Sequence, residues 1–239
     1  TDVNNGDNDV SGTSGNDVLA GDTGGLKTNF KSGEDYNVSI VLDLSGSMNW
    51  NLTNNNSAVP PALSRLDIAK AGLKAFVQQM VDHDGVINLQ LVSFSASGNN
   101  TAGDKFNETF LQVSQSNLQD ILNYIDSFTA EGGTNPERGF DRANQWFDTA
   151  DIAGATQNGF ENQTYYLTDG DPSTSSTTAI RDTAFNPLAE KSKVFAVGIS
   201  DAVKIENVYR YDNTDVNGNK LSGTWNGSSN HGTAQKFTD

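Results

Sequence analysis

The run Val38-Ser39-Ile40-Val41-Leu42-Asp43-Leu44 constrains the fold of this 239-residue chain more than any other stretch. It is nearly continuous in β-branched and apolar residues and has no polar face to turn to water. It therefore reads as a central strand covered on both sides. Such a strand needs helices above and below it, and the next periodic segment supplies one. From Arg65 to Val81, Leu66, Ala69, Leu73, Phe76, Val77 and Met80 recur at three- and four-residue steps, and Ser64 with Asp67 has the spacing of a helix-starting box.

The alternation continues along the chain. Val86 to Phe94 predicts a second strand and Lys105 to Val113 a third, and Leu118, Ile121, Leu122, Ile125 and Phe128 mark a short helix. Pro136 is placed as the first residue of another helix, capped by Thr134 or Asn135 and running through Phe140, Ala143 and Phe147. Gln163 to Thr168 and Lys193 to Ile199 predict two further strands, separated by a helical stretch that Pro187 interrupts. Strands alternating with helices specify an α/β, Rossmann-like fold: a doubly wound, mostly parallel central sheet flanked by helices on both faces. Beyond Tyr211 the chain turns polar, and Asn217-Gly218 and Asn226-Gly227 are hairpin signals.

Residues 1–33 have a different character and form a short Gly/Asp-rich extension or linker ahead of a domain spanning 34–239. They hold almost no large apolar side chains and cannot build a core. Gly12-Thr13-Ser14-Gly15-Asn16-Asp17-Val18-Leu19-Ala20 fits the calcium-binding nonapeptide of parallel β-helices at every position but the second, and Gly21 to Leu26 begins a poorer copy. Asp17 and Asp22 are thus candidates for an additional Ca²⁺. A solenoid needs stacked neighbours to close that cage, so the same residues also read as a solvated linker. The abrupt start at Thr1 in this tract suggests a piece of something longer.

Charge and composition exclude several function classes. Thirty acidic against 15 basic residues leave a formal charge of −15, which argues against a nucleic-acid partner or an anionic membrane surface. The absence of cysteine removes disulfide scaffolds, thiolate zinc sites and cysteine nucleophiles. No stretch approaches the roughly 18 apolar residues that span a bilayer, so no membrane insertion is expected. The N-terminus shows no basic region followed by an apolar run.

In an open α/β sheet, ligands sit outside the carboxyl ends of the strands. The first strand ends there in Asp43-Leu44-Ser45-Gly46-Ser47, a carboxylate followed by two hydroxyls at alternate positions. This D-x-S-x-S resembles the metal-ion-dependent adhesion site of von Willebrand factor A domains. Two more pieces of that pattern occur in order: Gly132-Gly133-Thr134-Asn135 just before a helix, and Thr168-Asp169-Gly170 after Thr164-Tyr165-Tyr166-Leu167. The resemblance covers about residues 36–201. It implies that Asp43, Ser45, Ser47, Thr134 and Asp169 form a metal shell, some directly and some through water.

All five side chains offer oxygen, which suits a hard divalent cation: Mg²⁺, Ca²⁺ or Mn²⁺. Two carboxylates balance the ion's charge and the hydroxyls add none, so the metal keeps an appetite for an oxygen from a protein or glycan ligand. A binding module is expected, not an enzyme. A haloacid-dehalogenase-type phosphatase needs a second Asp two positions after the first, where Ser45 stands, and a serine hydrolase needs G-x-S-x-G with a histidine base. His83, near a helix end, and His231, in a polar loop, read as surface residues. Trp50, Trp225 and Tyr211 are candidates for a binding rim. Asn213 to Gly218 brushes against an EF-hand loop but has Thr224 where the bidentate Glu belongs, so it reads as a hairpin.

Joined to the nonapeptide, the acidity and the lack of cysteine, the von Willebrand A pattern resembles the adhesion module of a giant bacterial RTX adhesin. That likeness implies an extracellular, Gram-negative cell-surface location reached by type I secretion, with neighbouring domains on a longer chain. Two other readings stand beside it: a structural spacer with a fold-stabilising metal, and a calcium-dependent lectin that uses the aromatic loops after Tyr211.

Overall fold

The computed structural model describes residues 30–53, 56–58, 62–95, 106–170, 180–200, 203, 208–215, 217–221 and 235–237. Strand β1 (Tyr36–Asp43) is buried along its whole length. β2 (Ile87–Phe94) pairs parallel to one side of it and β4 (Glu161–Thr168) parallel to the other. β3 (Asn107–Phe110) is an exposed antiparallel edge strand beside β2, shorter than the Lys105 to Val113 expected. β5 (Lys193–Ile199) and β6 (Gln235–Phe237) complete the other side, giving the order β3-β2-β1-β4-β5-β6. The sheet is mostly parallel and doubly wound, as the strand–helix alternation predicts.

Each face of the sheet has its own apolar cluster, because side chains of β1 alternate between them. Tyr36, Val38, Ile40 and Leu42 meet helices α1 (Arg65–Val81) and α2 (Leu118–Asp126). Val41 faces α3 (Glu137–Phe147), α4 (Ala150–Gln157) and the helical segment before β5. α3 lies so close that a Cβ on Gly139 would stand 2.5 Å from Val41 Cγ1. On that same face Asn37 and Ser39 are polar, yet satisfied: Asn37 Nδ2 donates to Asn162 Oδ1 at 2.9 Å, and Ser39 Oγ donates to Gln90 Oε1 at 2.7 Å.

The local starts follow the sequence with two exceptions. Ser64 and Asp67 form a reciprocal capping box at α1. Pro136 stands at the cap of α3, one residue before its first helical residue Glu137, and Asn135 Oδ1 accepts the Glu137 N–H at 3.2 Å. Pro187 does not interrupt its helix. It sits in the first turn of α5 (Asn186–Lys191), where a missing N–H costs nothing, and the preceding Ile180–Phe185 is wound as a π-helix. Helix α4 is an addition that sequence periodicity did not predict.

Beyond β5 the chain finishes the sheet edge with side chains. Asp212 Oδ2 accepts the Ala196 N–H at 2.9 Å and Asn213 Oδ1 accepts the Val194 N–H at 2.7 Å, while β6 pairs with Val197 to Ile199. These contacts occupy backbone groups that an open edge would offer to other chains. Thr214 and Lys220 bridge antiparallel, and Asp215 Oδ1 accepts the N–H groups of Asn217 and Asn219, so the segment from Asn213 is the hairpin expected.

Two aromatic-region expectations need correction. Tyr211 is no rim residue: it is 1% exposed and packs against Phe140, Tyr166 and Phe185, because its ring fills the core beneath α3. His83 is not on the surface either. Its side chain is 6% exposed, lies against Phe30 and Tyr36, and pairs through Nε2 with the Glu34 carbonyl at 2.7 Å.

Candidate metal centre

The chain runs from β1 outward to β2 and β3, then returns to place β4 on the other side of β1. The crevice at the carboxyl ends of β1 and β4 is therefore a topological switch point, where open α/β sheets bind ligands. Asp43 is the last residue of β1, and Asp169 directly follows β4.

Asp43 is completely buried and has both oxygens engaged. Oδ1 accepts the Ser45 N–H at 2.8 Å, which folds the loop back on the strand, and Oδ2 accepts the Thr168 hydroxyl at 2.7 Å. A 3₁₀ turn, Gly46–Asn49, then directs the Ser47 side chain toward the Ser45 hydroxyl, 3.0 Å away. Ser47 Oγ donates to Asp169 Oδ1 at 2.9 Å. Asp43, Ser45, Ser47 and Asp169 thus form one continuous hydrogen-bonded cluster.

Thr134 is held beside this cluster by its loop. Glu131 N–H donates to the Leu44 carbonyl at 2.8 Å and Gly46 N–H to the Gly132 carbonyl at 2.9 Å, while Asn135 N–H reaches the Ser95 carbonyl beyond β2. Gly132 has φ +83°, a left-handed conformation that a side chain would disfavour. Thr134 itself is 7% exposed. The five residues selected from sequence therefore gather at one end of the sheet. Asp17 and Asp22 lie outside the described residues, as do Trp225 and His231.

Two residues belong to the site that sequence reasoning missed. Thr168 orients Asp43 through the hydroxyl contact above and accepts the Gly170 N–H at 3.3 Å. Arg65, 1% exposed, donates from Nη1 to Asp169 Oδ2 at 2.8 Å and from Nε to the Asn51 carbonyl at 3.0 Å. Its guanidinium carbon lies 5.5 Å from the centroid of the Trp50 ring, a cation–π contact. Trp50 is half-buried, in a loop pinned by its bridge to Ser57.

The electrostatics of this cluster suit a cation. Burial pushes the Asp43 carboxyl up to about 7, helped by the negative charge of Asp169 and opposed by the hydrogen bonds from Thr168 and Ser45. Burial raises Asp169 too, against the contacts from Arg65 and Ser47. Asp43 and Asp169 are two buried carboxyls at a site with one buried guanidinium, which pairs with Asp169, so with both carboxyls ionised the described buried charges leave an excess negative charge for another cation to balance. Among the described residues no three His, Cys, Asp or Glu side chains gather. The donors on offer are carboxylate and hydroxyl oxygens, which fit a hard dication.

The sequence profile of the von Willebrand factor type A domain matches residues 38–171, more than half of the chain and the span that carries all five residues. The fold is similar to that of a von Willebrand factor type A protein from Catenulispora acidiphila, with a TM-score of 0.58 and 15% identity over 87% of this chain and 39% of that one. It is also similar to proximal thread matrix protein 1 from the mussel byssus, solved with a zinc-occupied MIDAS motif, at a TM-score of 0.51 and 15% identity over 77% of this chain and 43% of that one. The chain spans about two fifths of the length of these structures. No curated protein matches it. With its motif pieces, their arrangement at the switch point and the profile match in agreement, the chain belongs to the von Willebrand factor type A domain family.

Proposed function

We propose that this domain binds a divalent cation through Asp43, Ser45, Ser47, Thr134 and Asp169, and through that cation binds an oxygen-bearing group on a protein or glycan ligand, without turnover. The observation that carries the reading is the hydrogen-bonded run Asp43–Ser45–Ser47–Asp169 at the switch point, with a buried carboxyl pushed up to about 7 at its base. A cation supplies positive charge there and, once bound, attracts an external oxygen donor. Asp43 and Asp169 would hold it, Ser45, Ser47 and Thr134 would add neutral oxygens, and Thr168 and Arg65 would orient the two carboxylates. The mussel protein of similar fold, solved with a zinc-occupied MIDAS motif, supports a divalent cation at such a site. The ion is Mg²⁺, Ca²⁺ or Mn²⁺ in this proposal.

The wider setting is part of the proposal. The nonapeptide around Asp17, the charge of −15 and the absence of cysteine suit an extracellular adhesin module, with residues 1–33 joining the domain at 34–239 to neighbouring segments. In the RTX-adhesin setting the chain stands at a Gram-negative cell surface after type I secretion. No helix among the described residues is long and apolar enough to cross a membrane.

Arrays of acidic peptides and of glycans, probed with the wild-type chain and with Asp43→Ala in Mg²⁺, Ca²⁺, Mn²⁺ or EDTA, test the reading. Expected is binding that EDTA abolishes and Asp43→Ala lacks. Metal-dependent stabilisation without any array signal would favour the spacer. Sugar binding that survives Asp43→Ala would favour the lectin.

A further inference from the structure

Arg65 stands where simple helix rules disfavour it. It is the first residue of α1, where the helix dipole already places positive charge, and it lies four residues before Ala69 on the stripe that faces the core. An apolar residue would continue that stripe, whereas a buried guanidinium requires partners for its charge and its donors. Its partners include the Asp169 carboxylate, the Asn51 carbonyl and the face of Trp50. Asp169 is consequently shared: Oδ1 accepts from Ser47 and Oδ2 from Arg65.

We propose that Arg65 is a positioning and specificity residue of the metal centre, a fixed cation that loosens the hold on the ion until an anionic partner arrives and so selects carboxylate-bearing ligands over neutral sugar hydroxyls. The inference rests on the metal-binding reading above. With Asp43 and Asp169 ionised and Arg65 charged, the described buried groups carry one net negative charge. A dication turns that into one net positive charge inside a site where charges are poorly screened. A carboxylate neutralises it, and a hydroxyl leaves it in place. Arg65 also ties the ligand face to the Trp50 loop, since the same guanidinium touches Asn51 and Trp50.

The test is calorimetric titration of Mn²⁺ at about pH 8 into wild type, Arg65→Gln and Arg65→Lys. Each is titrated in chloride, in acetate at matched ionic strength, and in methyl glucoside. Removing the like charge should tighten Mn²⁺ binding about tenfold in Arg65→Gln, while Arg65→Lys should stay near wild type. Acetate should tighten Mn²⁺ binding to wild type several-fold and to Arg65→Gln less, and methyl glucoside should leave both unchanged. A purely structural Arg65 would lower Tm in both variants and leave Mn²⁺ affinity equal or weaker, which overturns the proposal. If Arg65→Gln does not fold, the wild-type acetate arm decides alone, and indifference to acetate overturns it. Failure of wild type to bind Mn²⁺ at all would refute the metal-binding reading itself. Mn²⁺ binding that ignores acetate and Arg65 would refute only the role given to Arg65.

Discussion

Asp169→Ala is expected to cost about 3–5 kcal/mol of stability in EDTA, and more in a divalent cation that only the wild type holds, because it leaves the Arg65 guanidinium buried without its carboxylate. The side chains of the pair are 2% and 0% exposed, so water cannot replace the lost partner. At roughly 2–4 °C per kcal/mol for a domain of this size, Tm should fall by about 6–20 °C. Thermal unfolding in EDTA and in Mg²⁺ measures it. Adding Arg65→Met to Asp169→Ala should restore much of the loss, because the stranded charge is then gone. A single-variant loss below about 1 kcal/mol would mean that the pair contributes no more than an exposed ion pair.

Asp43→Asn should have the opposite signature: divalent binding is lost, while stability in EDTA at neutral pH rises. The folded state holds the Asp43 proton up to about 7, whereas an unfolded chain releases it near 3.8. Between those values the folded state binds more protons, so stability from this group is full below about pH 4 and is lost as pH rises through about 7. Asp169, raised as well, adds to the same trend. At 1.36 kcal/mol per unit the Asp43 contribution is a few kcal/mol. Wild-type Tm in EDTA should therefore fall from pH 5 to pH 8 relative to Asp43→Asn. Asp84, Asp182 and Asp215 are lowered by hydrogen bonds and titrate below this window, so they do not confuse it. In saturating Mg²⁺ the sign reverses, because the ion competes with the proton and binds more tightly as pH rises toward 7. A wild-type Tm in EDTA that stays flat or climbs from pH 5 to pH 8 would contradict the burial argument.

Much of the sheet was legible because β1 and β5 are near-continuous apolar runs and β2 alternates apolar with polar residues, whereas the short polar β6 carries no such signal, and the capping box at Ser64 and Asp67 fixed where α1 begins. Thr134 and Asp169 were legible as partners of Asp43 only through the resemblance of their motif pieces to the von Willebrand A pattern, and the sheet gives the physical reason: parallel strands bring their carboxyl ends together. Arg65 was harder to see. A charged residue between Ser64 and Leu66 looks like an exposed first-turn position, and only its four-residue step to Ala69 and its poor fit to the helix dipole hint that it points inward. Tyr211 was misjudged because it lies in a polar stretch, and nothing local reveals that it fills the gap among Phe140, Tyr166 and Phe185. Helix α4 carries Gly154 and a single buried residue, Ile152, so its periodic signal is too weak to read. The cover on the β5 edge depends on the Asp212 and Asn213 side chains reaching the backbone, a role that no periodic pattern encodes.

The most direct test is an anomalous difference map from crystals of the wild-type domain grown with Mn²⁺. The account predicts one strong peak enclosed by the carboxylates of Asp43 and Asp169 and the hydroxyls of Ser45, Ser47 and Thr134, with no such peak in crystals of Asp43→Asn. A protein that binds Mn²⁺ only elsewhere, or shows no peak among these five side chains at saturating Mn²⁺, would contradict it.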